Sequence, residues 1–169
     1  YVAPAISWQN ERSKLTLLAQ YQKDESGYSS PYYLETKAGP SSETLNVGGP
    51  GSGHNKESWS LAAEGEHQLR DNLTLRAKAR YMDGENERFE LRNRGLAKDG
   101  RSINRLGMTR PDDEQSLSLD VNVQGQFNTG ALRHDLVAGV DYYDSTLNLR
   151  IHSLNGSVTP LDLVRPVYI

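Results

Sequence analysis

Hydrophobic and polar residues alternate along most of the chain with a period of two. The clearest run is residues 73–82, in which one set of alternate positions is apolar and the other is polar or basic. The apolar set is Leu73, Leu75, Ala77, Ala79 and Tyr81, and the polar set is Thr74, Arg76, Lys78 and Arg80. Alternation of this kind is typical of a β-strand with two unlike faces. Helical spacing is rare here, so the sequence predicts an all-β protein.

Six long strands are predicted from this alternation. They cover residues 2–9, 14–24, 57–69, 73–82, 115–127 and 132–144. Most reach about ten residues, whereas a strand of a globular protein usually has five or six. A membrane-spanning β-strand needs about 9–11 residues. We expect the six strands to form an antiparallel up-and-down meander.

The predicted connections alternate between short and long. Short polar turns lie near residues 10–13, 70–72 and 128–130, and long loops are predicted at 25–56, 83–114 and 145–169. Most connections in compact domains are only a few residues long. Outer-membrane barrels combine short turns on one side of the membrane with long extracellular loops on the other. The order of the connections therefore favours a transmembrane barrel.

The short turns also predict how neighbouring strands pair. A shift of one residue would move every side chain to the wrong face, so we matched the apolar faces on either side of each turn. Across the second turn, this matching places Glu66 opposite Arg76. Across the third turn, it places Phe127 opposite Leu132.

Composition narrows the classes of function. The 169 residues include no cysteine, 36% are hydrophobic, and the net charge is −3. These values exclude a disulfide framework and thiolate metal sites and argue against a nucleic-acid partner. No apolar run is long enough for a transmembrane helix. The mean hydropathy of −0.70 suggests a soluble protein, but it averages over both faces of each strand.

Two environments remain possible for the apolar faces. They could meet inside a soluble all-β ligand-binding module of the lipocalin-like kind. Alternatively, they could face lipid in a receptor, porin or adhesin barrel. Aromatic residues near the strand ends favour lipid, because barrels carry aromatic girdles at both membrane surfaces. These residues are Trp8, Tyr21, Trp59, Tyr81, Phe127, Tyr142 and Tyr143. Six strands cannot close a membrane barrel, so we expect an interior piece of a larger one.

An ordered set of segments resembles one family. LTLLAQYQKD at 15–24, DGRSINR at 99–105, FNTGALRHDLVAGVDY at 127–142 and PLDL at 160–163 are similar to TonB-dependent siderophore receptors, most of all the ferrichrome, or hydroxamate, branch. The resemblance implies consecutive strands of a 22-stranded outer-membrane barrel, whose plug domain is not matched in this chain. It also implies a transport receptor and no enzyme. Iron would be present only as the ferric-siderophore ligand. The other implied partners are outer-membrane lipid or lipopolysaccharide, and the TonB complex through parts of the parent not present here.

The resemblance also suggests where a siderophore could bind. In the loop after the 14–24 strand, aromatic positions of the family match Tyr28, Tyr32 and Tyr33. Such side chains combine a rigid contact surface with a polar tip that can bond to a carbonyl-rich ligand. The alternative is that they pack the loop against itself.

The next long loop contains a second candidate group. Phe89 lies beside Arg88, Arg92 and Arg94, and arginines can hold an anionic siderophore or a lipopolysaccharide phosphate with two parallel hydrogen bonds. The alternative is a solvated loop. The four histidines show no metal-ligand spacing, and no nucleophile–base pair is found.

Overall fold

The computed structural model describes residues 1–27, 33–43, 45–154 and 158–168. Its strands are β1 (Ala5–Gln9), β2 (Ser13–Gly27), β3 (Glu35–Thr36), β4 (Gly39–Pro40), β5 (Gly53–Arg70), β6 (Leu73–Leu96), β7 (Ser102–Thr129), β8 (Leu132–Leu149), β9 (His152–Leu154) and β10 (Leu161–Asp162). These residues contain no helix, which confirms the predicted all-β class. In the described part of the chain, no helix is long and apolar enough to cross a membrane.

The long strands pair in chain order. Strands β1, β2, β5, β6 and β7 are successive neighbours in one sheet, and β8, β9 and β10 each pair with β7. Strands β1 and β2 are antiparallel, with Ile6 opposite Leu17 and Trp8 opposite Leu15. Strands β3 and β4 form a separate small antiparallel pair. The sheet therefore has the predicted meander order.

Five of the six predicted strands are longer than predicted, mainly where loops were expected, whereas β1 is shorter. The predicted loop at 83–114 is wrong, because β6 continues to Leu96 and β7 begins at Ser102. The predicted loop at 145–169 contains the end of β8 together with β9 and β10. The 25–56 segment contains the end of β2, the β3–β4 pair and the start of β5. Residues 85–90 are almost all polar, so their side chains show no alternation of apolar and polar positions that would indicate a strand, although their backbone belongs to one.

Contacts between residues divide the chain into two compact units. The first unit comprises Tyr1–Lys23, Glu57–Gly84 and Asp113–Asn148. Its alternate apolar side chains are exposed: 70% of Ile6 and 74% of Val140 are accessible, and the other members include Trp8, Leu15, Leu17, Trp59, Leu61 and Leu136. The soluble alternative predicts that Leu75, Ala77, Val121 and Val123 are buried in a closed core. None of these four is buried.

The polar face of the first unit confirms one predicted pairing. Arg76 Nε lies 2.8 Å from Glu66 Oε2, and Lys78 Nζ lies 4.0 Å from Glu64 Oε1. Arg76 also donates through Nη1 to the side-chain oxygen of Gln124. All four charged side chains are more than a third exposed, so each ion pair stabilises the fold by at most about 1 kcal/mol. Their main role is to favour one register of β5 against β6.

The pairing predicted across the third turn is wrong by two residues. The turn between β7 and β8 has only two residues, and the first of them, Gly130, has a φ of +62°. The Phe127 ring stacks on His134, with 4.9 Å between ring centroids, instead of meeting Leu132. A shift of two residues keeps every side chain on its predicted face. Face matching therefore could not distinguish the two registers.

The second unit has a small hydrophobic core. It comprises Asp24–Lys56, Glu85–Asp112 and Leu149–Ile169. Five side chains that are at most 3% exposed form the core, with Leu34 packed against them; they are Leu45, Val47, Ile103, Leu161 and Leu163. All five belong to stretches outside the predicted strands. Burial of these side chains gives the connections of this unit a defined structure.

Two arginines of the second unit hold the connections around this core. Arg105 donates through Nη2 to the Thr159 carbonyl oxygen at 2.8 Å and through Nη1 to the Val47 carbonyl oxygen at 3.4 Å. Desolvation lowers the pKa of Arg105. Arg101 Nη2 lies 2.6 Å from Asp162 Oδ2. The hydrogen bond from Arg101, followed by backbone N–H groups, lowers the pKa of Asp162 to about 2.

Removing a core side chain should destabilise the second unit. We expect Ile103→Ala, which deletes a side chain that is 1% exposed, to cost about 2–5 kcal/mol through lost burial and a residual cavity. Amide hydrogen exchange on the purified full-length protein would show faster exchange around β10. The matched control is Val167→Ala, because Val167 is 69% exposed. Equal exchange in the two variants would contradict the assigned core.

Acid should loosen β10. The native pKa of Asp162 lies below its unfolded value, so the stabilisation is complete above about pH 4 and is lost as pH falls towards 2. We expect exchange near β10 to rise across that window in the natural protein. Asp162→Asn should show fast exchange already at neutral pH and little added effect of acid. Asp135→Asn removes a more exposed partner, 3.6 Å from Arg133, and should not change β10 at any pH.

Candidate ligand-binding site

A cavity in the second unit is the best-formed candidate site. Its volume is about 650 Å³, within the range of about 300–1,000 Å³ that is usual for small-molecule sites. Four stretches line it: the end of β2 at 25–27, residues 51–55 at the start of β5, residues 87–89 of β6 and residues 109–111 of β7. Pairing between neighbouring strands brings together side chains that are up to 86 positions apart in the sequence (25 against 111).

The β2–β5 side of the cavity depends on a close backbone approach. A Cβ atom at Gly53 would lie 2.8 Å from the Ser26 carbonyl oxygen, so any larger residue would push the strands apart. Next to it, the side chains of Ser26 and His54 share a hydrogen bond of 2.8 Å between Oγ and Nε2. Phe89, from β6, adds an aromatic side chain to the lining. The cavity thus combines one aromatic wall with hydroxyl and imidazole groups.

Two arginines dominate the polar part of the lining. Arg88 of β6 and Arg110 of β7 both line the cavity, and the Nε of each is buried without an acceptor among the described residues. Arg110 Nη2 lies 4.0 Å from Asp112 Oδ2, too far for a hydrogen bond. Asp112 Oδ2 accepts a 3.4 Å hydrogen bond from Asn86. Burying a donor without an acceptor costs about 1–3 kcal/mol of folding free energy, so two such arginines in one lining, Arg88 and Arg110, are unusual.

The other two predicted arginines are not in this lining. Arg92 contacts Glu90, with distances of 2.7 Å from Nε and 2.5 Å from Nη2 to the same Oε1 atom. The Glu90 side chain is only 2% exposed, so Arg92 compensates a buried charge. Arg94 is exposed. Neither of the two guanidinium groups lines the cavity.

The predicted tyrosine group is represented only by Tyr33. Tyr28 and Tyr32 lie outside the described residues. Tyr33 is 66% exposed and donates from its hydroxyl to Glu35 Oε1 at 3.3 Å. The negative charge of Glu35 raises the pKa of Tyr33. Tyr33 does not line the cavity. Among the predicted site residues that the structure describes, Phe89 and Arg88 are the two that line the cavity.

Sequence reasoning missed Arg110 and His54. Arg110 was assigned to a loop, and His54 was examined only as a metal ligand. An extended polar strand at 102–114 would have placed Arg110 next to the Arg88 strand, but polar residues on both faces hide such a strand. Within the described ranges, no group of three or more His, Cys, Asp or Glu side chains is arranged to hold a metal ion.

Solved structures define the class to which this fold corresponds. The chain matches the closed form of the ferric-catecholate import receptor Fiu from Escherichia coli K12 with a TM-score of 0.79 at 18% identity, over 98% of this chain and 27% of that one. The open form matches with a TM-score of 0.80 at 15% identity, over 98% of this chain and 29% of that one. The fold is thus that of part of a receptor barrel.

Curated relatives point to the same class. The chain is 28% identical to the metal-pseudopaline receptor CntO of Pseudomonas aeruginosa, 23% to the ferrichrome outer membrane transporter/phage receptor of Escherichia coli, and 24% to the ferrioxamine B receptor of Salmonella typhimurium. These matches cover 98–99% of this chain but 24–26% of the relatives, so the chain spans about a quarter of their length. No protein-family model matches the chain. The similarity to TonB-dependent siderophore receptors predicted from the sequence is confirmed, and the relatives are transport receptors, not enzymes.

The contact between Arg92 and Glu90 predicts a structural role for Arg92. Arg92→Gln should leave the buried Glu90 carboxylate poorly compensated and destabilise the second unit by about 1–3 kcal/mol, less than for a fully buried pair because Arg92 is half-exposed. Local amide exchange on the full-length protein would measure this. Arg94→Gln should have no effect. Adding Glu90→Gln to Arg92→Gln should restore part of the stability, and a double variant as unstable as Arg92→Gln would contradict the role.

Proposed function

We propose that this chain is a barrel segment of a bacterial outer-membrane receptor that binds a ferric siderophore and imports it with energy from the TonB complex. The observation that carries the proposal is the joint similarity in sequence and fold over nearly the whole chain to receptors of this class. The names of these relatives refer to different ligands. We propose a ferrichrome-like hydroxamate as the substrate, because the 127–142 and 160–168 segments resemble that branch most.

The apolar face of the first unit supports a position in the membrane. Its alternate side chains on β1, β2, β5 and β8 are exposed instead of forming a shared core. In a barrel wall, side chains at these positions face lipid, and the polar side chains between them face the interior. Outer-membrane lipid and lipopolysaccharide would be the partners of this face.

The cavity of the second unit supports binding of a small ligand. Phe89 supplies an aromatic contact, and Arg88 supplies charged hydrogen-bond donors. Tyr28, Tyr32 and Tyr33 would contribute aromatic contacts from the neighbouring loop, as the resemblance to ferrichrome-type receptors implies. Iron would reach the protein inside its siderophore, so direct protein ligands to the metal are not required. The contact with TonB would belong to other parts of a longer receptor.

An uptake assay would test this proposal. The full-length protein that carries this segment would be expressed in a bacterium lacking its own siderophore receptors, with and without TonB. We expect TonB-dependent uptake of radioactive iron supplied as at least one of four chelates: ferrichrome, ferrioxamine B, a ferric catecholate or metal-pseudopaline. Phe89→Ala should raise the concentration needed for half-maximal uptake by about tenfold, because it removes an aromatic contact.

The control for this assay is Tyr143→Ala, which removes an exposed aromatic side chain of the first unit. Its uptake should equal that of the natural protein at equal abundance in the outer membrane. Recovery of the protein in the soluble fraction, or no TonB-dependent uptake of any of the four chelates, would contradict the proposed function. Uptake unchanged by Phe89→Ala would remove the cavity from it while leaving the receptor assignment in place.

A further inference from the structure

We infer that Arg88 and Arg110 together bind an anionic oxygen group of the ligand, a free carboxylate carried by the chelate, and so favour hydroxamate siderophores that carry a free carboxylate over those that do not. This inference rests on the proposed function and deepens it. It involves a pair of residues that the sequence pattern did not connect, since Arg110 lies 22 positions after Arg88. In place of the predicted group of Arg88, Arg92 and Arg94, it involves Arg88 and Arg110, which lie on neighbouring strands.

Geometry separates these two arginines from the other arginines near acidic residues. Three arginines of the chain, Arg76, Arg92 and Arg101, are held by a carboxylate at 2.8, 2.5 and 2.6 Å, respectively. By contrast, Arg88 has no ion pair among the described residues, and the nearest carboxylate to Arg110 lies at 4.0 Å. Arg88 therefore has no carboxylate partner among the described residues, and Arg110 has only a distant one.

Burial adds to the cost of leaving these groups without an acceptor. The Nε atoms of Arg88 and Arg110 are shielded from solvent and lack an acceptor within the described residues, as does the Nε of Arg101, but Arg101 has a carboxylate at 2.6 Å from its Nη2. Two positively charged side chains in one lining favour a ligand group that is negative and accepts several hydrogen bonds. A carboxylate has two such oxygens and fits the planar fork of a guanidinium group.

The other acidic residues near the pair do not fill this role. Glu87 also lines the cavity, but it is exposed, and no ion pair joins it to Arg88 or Arg110 in the described chain. Asp112 accepts from Asn86 through Oδ2, and its buried Oδ1 has no donor among the described residues. Glu87 and Asp112 therefore lower the net positive charge near the cavity, but they accept no hydrogen bond from the buried Nε atoms of Arg88 and Arg110.

The size and the walls of the cavity favour a small molecule as the source of the anion. A volume of about 650 Å³ suits a chelate, and Phe89 provides a surface for its apolar backbone. A lipopolysaccharide phosphate has the same anionic oxygen chemistry. The experiment therefore includes an arm for that source.

A matched pair of ligands tests the inference on the purified full-length receptor. The probes are a linear ferric trihydroxamate with a free terminal carboxylate and its methyl ester, and affinity is measured by quenching of tryptophan fluorescence. We expect the acid to bind at least about tenfold more tightly than the ester, because one charged hydrogen bond contributes a difference of about this size. Arg88→Gln and Arg110→Gln should each remove most of this preference by lowering the affinity for the acid much more than the affinity for the ester. Arg88→Lys, which keeps the charge but loses the fork, should retain part of it.

Arg94→Gln is the matched control, since Arg94 is an exposed arginine of the same strand outside the cavity. It should keep the full preference for the acid. Equal affinity for acid and ester in the natural protein would overturn the inference and leave the receptor function standing. An equal loss of both affinities in Arg88→Gln would also overturn it, because it would indicate a packing role.

Two further outcomes remain distinct. Tighter binding of lipopolysaccharide than of its dephosphorylated form, lost in Arg88→Gln while acid and ester bind equally, would overturn the siderophore assignment in favour of a lipid phosphate. No binding of either chelate, together with no uptake of any of the four chelates in the preceding assay, would overturn the proposed function and this inference with it.

Discussion

Backbone hydrogen bonding between long antiparallel strands is the constraint on which the rest of this structure depends. It requires only extended chains in register and does not require apolar side chains on either face. Strand β7 shows this independence, because it is 28 residues long and passes through a largely polar stretch at 110–116 without ending. The same pairing places Arg88 and Arg110 on neighbouring strands, so the candidate site is a consequence of the sheet.

Side chains act within this framework in two different ways. In the first unit, apolar side chains such as Ile6 and Val140 are exposed, and their energetic value depends on the surrounding medium. In the second unit, Ile103 and Leu163 are buried together, and their burial stabilises the connecting segments whatever the surrounding medium. The ion pair of Arg101 with Asp162 adds a stabilising contact at the edge of this core. A cavity with a defined shape can exist there because these connections are packed.

The sequence predicted the six long strands, their order and the pairing of Glu66 with Arg76 correctly, because alternation and face matching depend on side chains that differ clearly between faces. It failed for polar strands, which show no alternation, and at the third turn, where a shift of two residues leaves every face unchanged. For the candidate site, Phe89 and Arg88 were predicted because they are of types suited to binding, and both line the cavity. Arg110 was not found, because nothing in the sequence indicates that its strand pairs with β6.

By itself, the sequence determined that this is an all-β chain with one apolar and one polar face on each strand, and that it resembles siderophore receptors. These properties follow from local periodicity and ordered motifs. Only the tertiary structure decided which arginines have a close carboxylate partner, since Arg92 contacts Glu90 two positions away whereas Arg88 and Arg110, on neighbouring strands, line one cavity. The physical reason is that ion pairing and burial depend on distances in space, which strand pairing sets and residue spacing along the chain does not.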